Sequence, residues 1–224
     1  MLCYKHAAMG KRLQKKARRA ARRRRRWRNR VIGAVVIAGA IAAFVATRPP
    51  PRDPSLPLPV AEEVSRGPAD APVTIVEYGD FNCPSCRVYY QQGIIDRVLA
   101  LYPVEVRYVW RHFPIITPSS PKLAEAAECA ADQGAFWEFH DALFDAAPTS
   151  AGQMVGFAGR LSLDVEAFSQ CFASRGYRDP VRDQMREALG HGFRGTPSFM
   201  INDTPLAGPP SYEYLISVIE SQLN

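Results

Sequence analysis

The sequence predicts an α/β domain interrupted by a wholly helical insertion and preceded by one N-terminal transmembrane helix. Three patterns lead there: a strand–helix–strand unit over residues 73–110, helical periodicities up to about residue 190, and a return to strand at Ser198–Ile201. With 224 residues and 47% hydrophobic composition, the chain can form one ordinary domain with its own core plus an appendage.

The appendage comes first. Half of the 28 Lys and Arg lie in residues 1–30, which contain no Asp or Glu, so the formal charge of +6 describes a tail and the rest of the chain is net acidic. Residues 31–47, VIGAVVIAGAIAAFVAT, are free of charge and follow directly. They read as a membrane segment whose N-terminal side stays in the cytoplasm by the positive-inside rule. At ~1.5 Å per residue this run is near the lower limit for a span, with Trp27 and the flanking arginines able to reach the interface. A retained signal anchor is expected, although the small-x-small run Ala40-Ile41-Ala42 offers a cleavage site and Met9 a second possible start. Membrane topology accounts for the polyarginine block, and nucleic acid, the other usual partner of such blocks, is not expected. Residues 48–59, RPPPRDPSLPLP, are too proline-rich for helix or central strand and read as an extended spacer. The domain then occupies 60–224, with the helical insertion at about 115–190.

Within the domain, residues 73–78 (VTIVEY) are β-branched and nearly continuously apolar, as a buried strand requires. Asp80-Phe81-Asn82 breaks the strand and Cys83-Pro84-Ser85-Cys86 follows, with Pro84 at the first position of a helix. One helix is expected as far as Pro103, its apolar residues being Val88, Ile94, Ile95, Val98 and Leu101. Residues 104–110 (VEVRYVW) read as the next strand. In the insertion, Leu123, Ala126, Ala127 and Ala130 share one helical face, and Phe136, Phe139, Leu143 and Phe144 share another. Further helices are expected at 150–161, 164–174 and 180–189. A strand at 198–201, a short one at 206–208, and a closing helix lined by Tyr212, Leu215, Ile216, Ile219 and Leu223 complete the order.

The chemistry centres on the two closely spaced cysteines. A cysteine at a helix start meets free backbone N–H groups and the positive end of the helix dipole, which stabilise a thiolate, so Cys83 is the expected nucleophile. Cys86 lies one turn inside, at a Cα separation of ~5 Å that a disulfide can bridge. Half of a zinc site is the weaker reading, since zinc wants four ligands and no second closely spaced Cys/His pair is present in the domain over 60–224; a single-copper carrier is the more credible metal case. No metal or other cofactor is expected. Glu77 shares a strand face with Val73 and Ile75 by two-residue alternation, so its carboxyl is expected to be partly buried with a raised pKa. A strand-end glutamate reaching solvent is the alternative. His112, His140 and His191 show no partner spacing and read as packing or surface residues.

The segment IVEYGDFNCPSC, followed after a helical insertion by GTPSFMIN, resembles the DsbA-like branch of the thioredoxin superfamily over roughly residues 60–223. The resemblance implies a thioredoxin-like fold and a thiol-disulfide oxidoreductase whose redox motif is Cys83, Pro84, Ser85 and Cys86. It also implies a cis-proline at Pro197 beside the active-site pair, with Thr196 offering backbone pairing to an unfolded substrate, and Glu77 shuttling protons for Cys86. Taken alone, Thr196-Pro197 is only a turn or strand start, since cis is the minority state of X-Pro bonds. The implied activity is a dithiol oxidase that introduces disulfides into unfolded or partly folded exported proteins. A membrane redox partner of the DsbB or VKOR type would recharge it, and the catalytic domain would face the periplasm or cell-wall side. Some members of that branch carry a histidine before the second cysteine, where Ser85 stands here and gives less electrostatic help. A reductase or isomerase therefore stays open, as does a copper-binding or holdase-like protein using the same surface. Cys129 and Cys171 are left over in the helical insertion. In an oxidising compartment they favour a structural bridge, with free buried cysteines the alternative, and their AECA and SQCF contexts resemble those of DsbA-like proteins with a second disulfide.

Overall fold

The computed structural model describes residues 63–146 and 150–223, together with Trp27, Asn29, Gly33 and Gly39, which are helical. The chain divides into residues 1–51 and residues 52–224. Apart from those four positions, the expected basic tail, membrane segment and spacer lie outside the described residues. Among the described residues, no helix is long and apolar enough to cross a membrane.

Among the described residues, five strands form one sheet: β1 (Ser65–Arg66), β2 (Val73–Gly79), β3 (Val106–His112), β4 (Ser198–Ile201) and β5 (Thr204–Ala207), in the order β1-β3-β2-β4-β5. Only β2 and β3 run parallel, with Val73 opposite Val106 and Glu77 opposite Trp110. A parallel pair needs a crossover, which α1 (Pro84–Gln91) and α2 (Ile94–Leu101) supply.

Those two helices replace the single helix that the sequence suggested as far as Pro103. The break falls at Gln92-Gly93, where Gly93 takes φ 59°, a left-handed conformation that costs glycine little. No single apolar stripe then runs through both helices, so Ile94 and Val98 are buried while Val88 and Leu101 are 53% and 54% exposed. Strand β3 begins two residues later than expected, at the point where Val106 meets Val73, and leaves Val104 in solvent. Strand β1 was not foreseen: two residues carry no periodicity, and pairing of Ser65 with Val109 defines it.

The face of β2 and β3 that carries Val73, Ile75, Val106 and Tyr108 packs on Ile94 and Val98 of α2 and on Leu215 and Ile219 of α8 (Tyr212–Leu223). Tyr78, on the opposite face, packs with Phe113, Phe193 and Ala188 of α7 (Arg178–Gly190). The insertion comprises α3 (Ser120–Ala131), α4 (Phe136–Ala146), α5 (Ala151–Arg160), α6 (Val165–Ser174) and α7. Its core gathers Leu123, Phe139, Leu143, Phe157 and Phe168. Helix α3 is buried all round from Leu123 to Ala130 rather than on one face, because α4, α5, α6 and α7 surround it. Two carboxylates inside it are paired, Glu125 with Arg175 and Glu128 with His112 Nε2 at 2.9 Å. A disulfide between Cys129 and Cys171 joins α3 to α6 across a Cα separation of 5.8 Å.

Candidate active site

The turn that leaves β2 is held by a buried carboxylate. Asp80 accepts hydrogen bonds from the backbone N–H groups of Asn82 and Ile116, both at 2.8 Å. The Asn82 amide in turn donates to Thr117 Oγ1 at 2.8 Å and Ser119 Oγ at 3.1 Å. The end of β2 and the entry to the insertion are thereby tied together. Gly79 is required just before this turn, because the Trp110 ring occupies the space that a Cβ would need.

Helix α1 then starts on a cysteine. Cys83 is its N-cap, in extended conformation with Pro84 next, and Cys83 Sγ accepts from the Cys86 backbone N–H at 3.4 Å. As a thiol, Cys83 donates to the Thr196 carbonyl at 3.2 Å. The peptide bond joining Thr196 to Pro197 is cis, and Pro197 is buried at the start of β4, against β2. Pro84 and Ser85 are exposed, whereas Cys83 and Cys86, both free thiols, are buried at 3% and 1% exposure.

The two sulfurs have opposite acidities. A hydrogen bond from the Cys86 thiol, helped by Thr196 and by the helix-start N–H groups of Cys86 and Ser85, brings Cys83 down to about 6 against the opposing effect of burial. Burial, the hydrogen bond to Cys83 and the nearby Glu77 charge all push Cys86 upward. Glu77 is buried on the same strand face as Val73 and Ile75, and accepts from Tyr108 Oη at 2.8 Å. Burial raises its carboxyl to about 8, with the Tyr108 bond opposing and the Cys83 charge adding. Around neutral pH the site thus holds an ionised nucleophile, a protonated second thiol and a buried acid electrostatically coupled to both.

Tyr108 is the site residue that the sequence reading passed over. Laying VEVRYVW parallel to VTIVEY would have put it on Glu77's face of the sheet. Cys129 and Cys171 are joined to each other in the insertion, apart from the redox pair. His112 is a core group, accepting from Trp110 Nε1 at 3.1 Å through Nδ1. His140 is buried with Nδ1 2.8 Å from Asp141, and His191 is exposed beside the Tyr78 ring.

Residues 60–221 match the family described as thioredoxin. A Na(+)/H(+) antiporter NhaA 1 from Salinispora arenicola is 39% identical over 159 residues, or 70% of this chain. The chain spans about a quarter of the length of such curated relatives. A thioredoxin-like oxidoreductase from Silicibacter pomeroyi is similar at 29% identity and a TM-score of 0.60, over 71% of this chain and 91% of that one. Alpha-DsbA1 from Wolbachia pipientis shares the fold at 22% identity and a TM-score of 0.64, over 74% of this chain and 92% of its own.

Proposed function

The chain belongs to the thioredoxin family, and from that premise we propose that it is a protein disulfide oxidoreductase acting as a dithiol oxidase on unfolded or partly folded exported proteins. The observation that carries this reading is the pairing of an acidified Cys83 with a Cys86 held protonated. In the oxidised enzyme a substrate thiolate attacks Cys83 Sγ, the Cys83–Cys86 bond breaks, and its electron pair leaves on Cys86, which takes up a proton. A second substrate thiolate then attacks the substrate sulfur of the mixed disulfide and expels Cys83 as thiolate. The substrate has lost two electrons and the enzyme has gained them.

The direction follows from the acidities. Lowering Cys83 from its ordinary value of 9.0 to about 6 stabilises the reduced enzyme at pH 7 by about 1.4 kcal/mol, equivalent to ~30 mV, and solvent screening at the outer side of the sulfur reduces this somewhat. Raising Cys86 takes almost nothing back, because that thiol would be protonated at pH 7 anyway. Stabilising the dithiol form makes the disulfide form the stronger oxidant. Thr196, whose carbonyl faces Cys83, would pair with an extended substrate chain, and Glu77 would supply the proton to Cys86. Equilibration of the purified chain with glutathione buffers tests the reading. A potential well above about −270 mV supports an oxidase, whereas a value at or below it assigns a reductase, the reading that the weaker electrostatic help of Ser85 leaves open.

The same proposal places the catalytic domain outside the cytoplasm, held by residues 31–47 and recharged by a membrane redox partner of the DsbB or VKOR type. A reporter fused after Asn224 should be active only outside the cytoplasm, and the protein should stay with membranes through a high-salt wash. Recovery of a soluble product beginning near Ala43 would instead show that the segment is cleaved.

A further inference from the structure

Among the described residues the cysteines form two pairs, and the helix ends on which they stand have opposite sign. Cys83 caps the N-terminus of α1, where backbone N–H groups stabilise a thiolate. Cys129 lies in the last turn of α3 and Cys171 in the last turn of α6, where the negative end of the helix dipole opposes one. A carboxylate reinforces this field. Asp132 is the C-cap of α3, itself an unfavourable place for a negative charge, yet its side chain is held there by the buried Tyr177, whose Oη donates to Oδ1. Its other oxygen, Oδ2, lies 3.6 Å from Cys171 Sγ. A disulfide sulfur carries no proton, so this contact is not a hydrogen bond. It sets a carboxylate against the more accessible end of the bridge, since Cys171 is half-buried whereas Cys129 is 1% exposed. Arg175, which follows α6, turns its guanidinium to Glu125.

Opening the bridge from outside requires a thiolate to attack Cys171 Sγ. A bond forms between the two sulfurs, the Cys171–Cys129 bond breaks, and its electron pair leaves on Cys129, which takes up a proton. A second thiolate then attacks the external sulfur and expels Cys171, so two external thiols are oxidised to a disulfide and the protein pair is reduced. The attacking group is negative, and the leaving group must form a thiolate in a buried turn at a helix C-terminus. We propose that Asp132, pinned by Tyr177, is an electrostatic guard that keeps the Cys129–Cys171 bridge out of thiol exchange, so that thiolates reaching the protein react at Cys83 and not at Cys171. The guard goes beyond the oxidase reading, because it operates in whichever direction Cys83 and Cys86 run.

The test opens the disulfides of the full-length chain with three thiols at one pH and low ionic strength. Cysteamine carries an ammonium that offsets its thiolate, 2-mercaptoethanol carries the thiolate alone, and 2-mercaptoethanesulfonate adds a second negative charge. Alkylation followed by peptide mass spectrometry scores Cys129 and Cys171 separately from Cys83 and Cys86. Dividing each variant's rate by the wild-type rate for the same thiol cancels intrinsic nucleophilicity. Asp132→Asn keeps an acceptor for Tyr177 and removes the charge. Two unit charges ~5 Å apart in water interact strongly enough to change a rate about fourfold. The Asn variant's bridge is therefore expected to open about fourfold faster with 2-mercaptoethanol, faster still with the sulfonate, and at nearly the wild-type rate with cysteamine. These gains should shrink at about 1 M salt, where the screening length falls to ~3 Å. Asp132→Lys should extend the same order further, and the Cys83–Cys86 bond should open at wild-type rates in both variants. Equal acceleration by all three thiols would mark a merely structural role and overturn the proposal. Unchanged rates would overturn it too, as would the same charge-graded change at Cys83 and Cys86.

Discussion

Replacing Glu77 by Gln should change how stability depends on pH, in a direction that the burial of this carboxyl dictates. In the unfolded chain Glu77 ionises near its ordinary value of 4.5, whereas in the folded protein it ionises near 8. Between these values the folded state holds a proton that the unfolded state has released. The carboxyl's contribution is therefore fully present below pH 4.5 and is lost as pH rises toward 8. At about 1.4 kcal/mol per pH unit, the loss reaches about 3 kcal/mol at pH 7 and about 4 kcal/mol at pH 8. Gln can still accept from Tyr108 Oη but does not titrate, and the new buried N–H₂ group adds only a pH-independent offset of about 1–3 kcal/mol. Urea unfolding of the disulfide-oxidised forms, in which neither Cys83 nor Cys86 titrates and the small Cys83 charge effect is absent, should show a somewhat smaller difference between Glu77→Gln and wild type, growing steadily in favour of Gln as pH rises from 4.5. A flat difference over that range would mean that the folded carboxyl ionises at its solvent value, and the proton-handling role would fall with it.

Other perturbations separate the remaining parts of the site. In Cys86→Ser, Cys83 should trap substrate as a stable mixed disulfide, while Cys83→Ser should form none. Alkylation of Cys83 in the reduced protein should accelerate as pH rises through about 6 and then level off, and a midpoint near 9 would remove the acidified nucleophile. Cys129→Ser combined with Cys171→Ser opens a loop spanning a sequence separation of 42 and should cost about 4 kcal/mol in denaturant unfolding, with the active-site potential unchanged. Gly79→Ala should cost about 1–3 kcal/mol, because the Trp110 ring and the Phe81 ring stacked 5.1 Å from it must give way, and tryptophan fluorescence should report the shift.

What the sequence disclosed and what it withheld divide along physical lines. Elements with a sustained pattern were readable: β2 declares itself by a β-branched, nearly continuous apolar run, and the helices of the insertion by 3.6-residue repeats. The break at Gly93 was not, because the apolar residues on either side continue a helical spacing and only the φ of 59° shows the chain turning. Helix α3 misled in the other direction. Its apolar stripe suggested one buried face, yet Glu125 and Glu128 on its remaining surface are also buried, each bonded to a partner distant in sequence. A carboxylate reads as solvent-facing until its partner is located, and location is what sequence lacks.

The candidate site shows the same division in its chemistry. The spacing of Cys83 and Cys86 and the proline after Cys83 are local facts, and local facts suffice to place one sulfur at a helix start and the other a turn inside. The acidity of each sulfur is a non-local property. Cys83 owes part of its acidity to Thr196, and Cys86 owes part of its reluctance to ionise to Glu77, residues that only the assembled sheet brings near. Glu77 could be singled out from its strand, but its raised pKa reflects the enclosure around it, and the Tyr108 hydroxyl that tempers it comes from a neighbouring strand. Substitutions around the motif that preserve CPSC should therefore be able to move the enzyme's potential, and Tyr108→Phe is the sharpest case. Removing that hydrogen bond should raise the Glu77 carboxyl further and keep it protonated to higher pH. In titrations followed by its infrared band, the midpoint should move upward from about 8, and an unchanged midpoint would show that the Tyr108 contact does not act on the carboxylate.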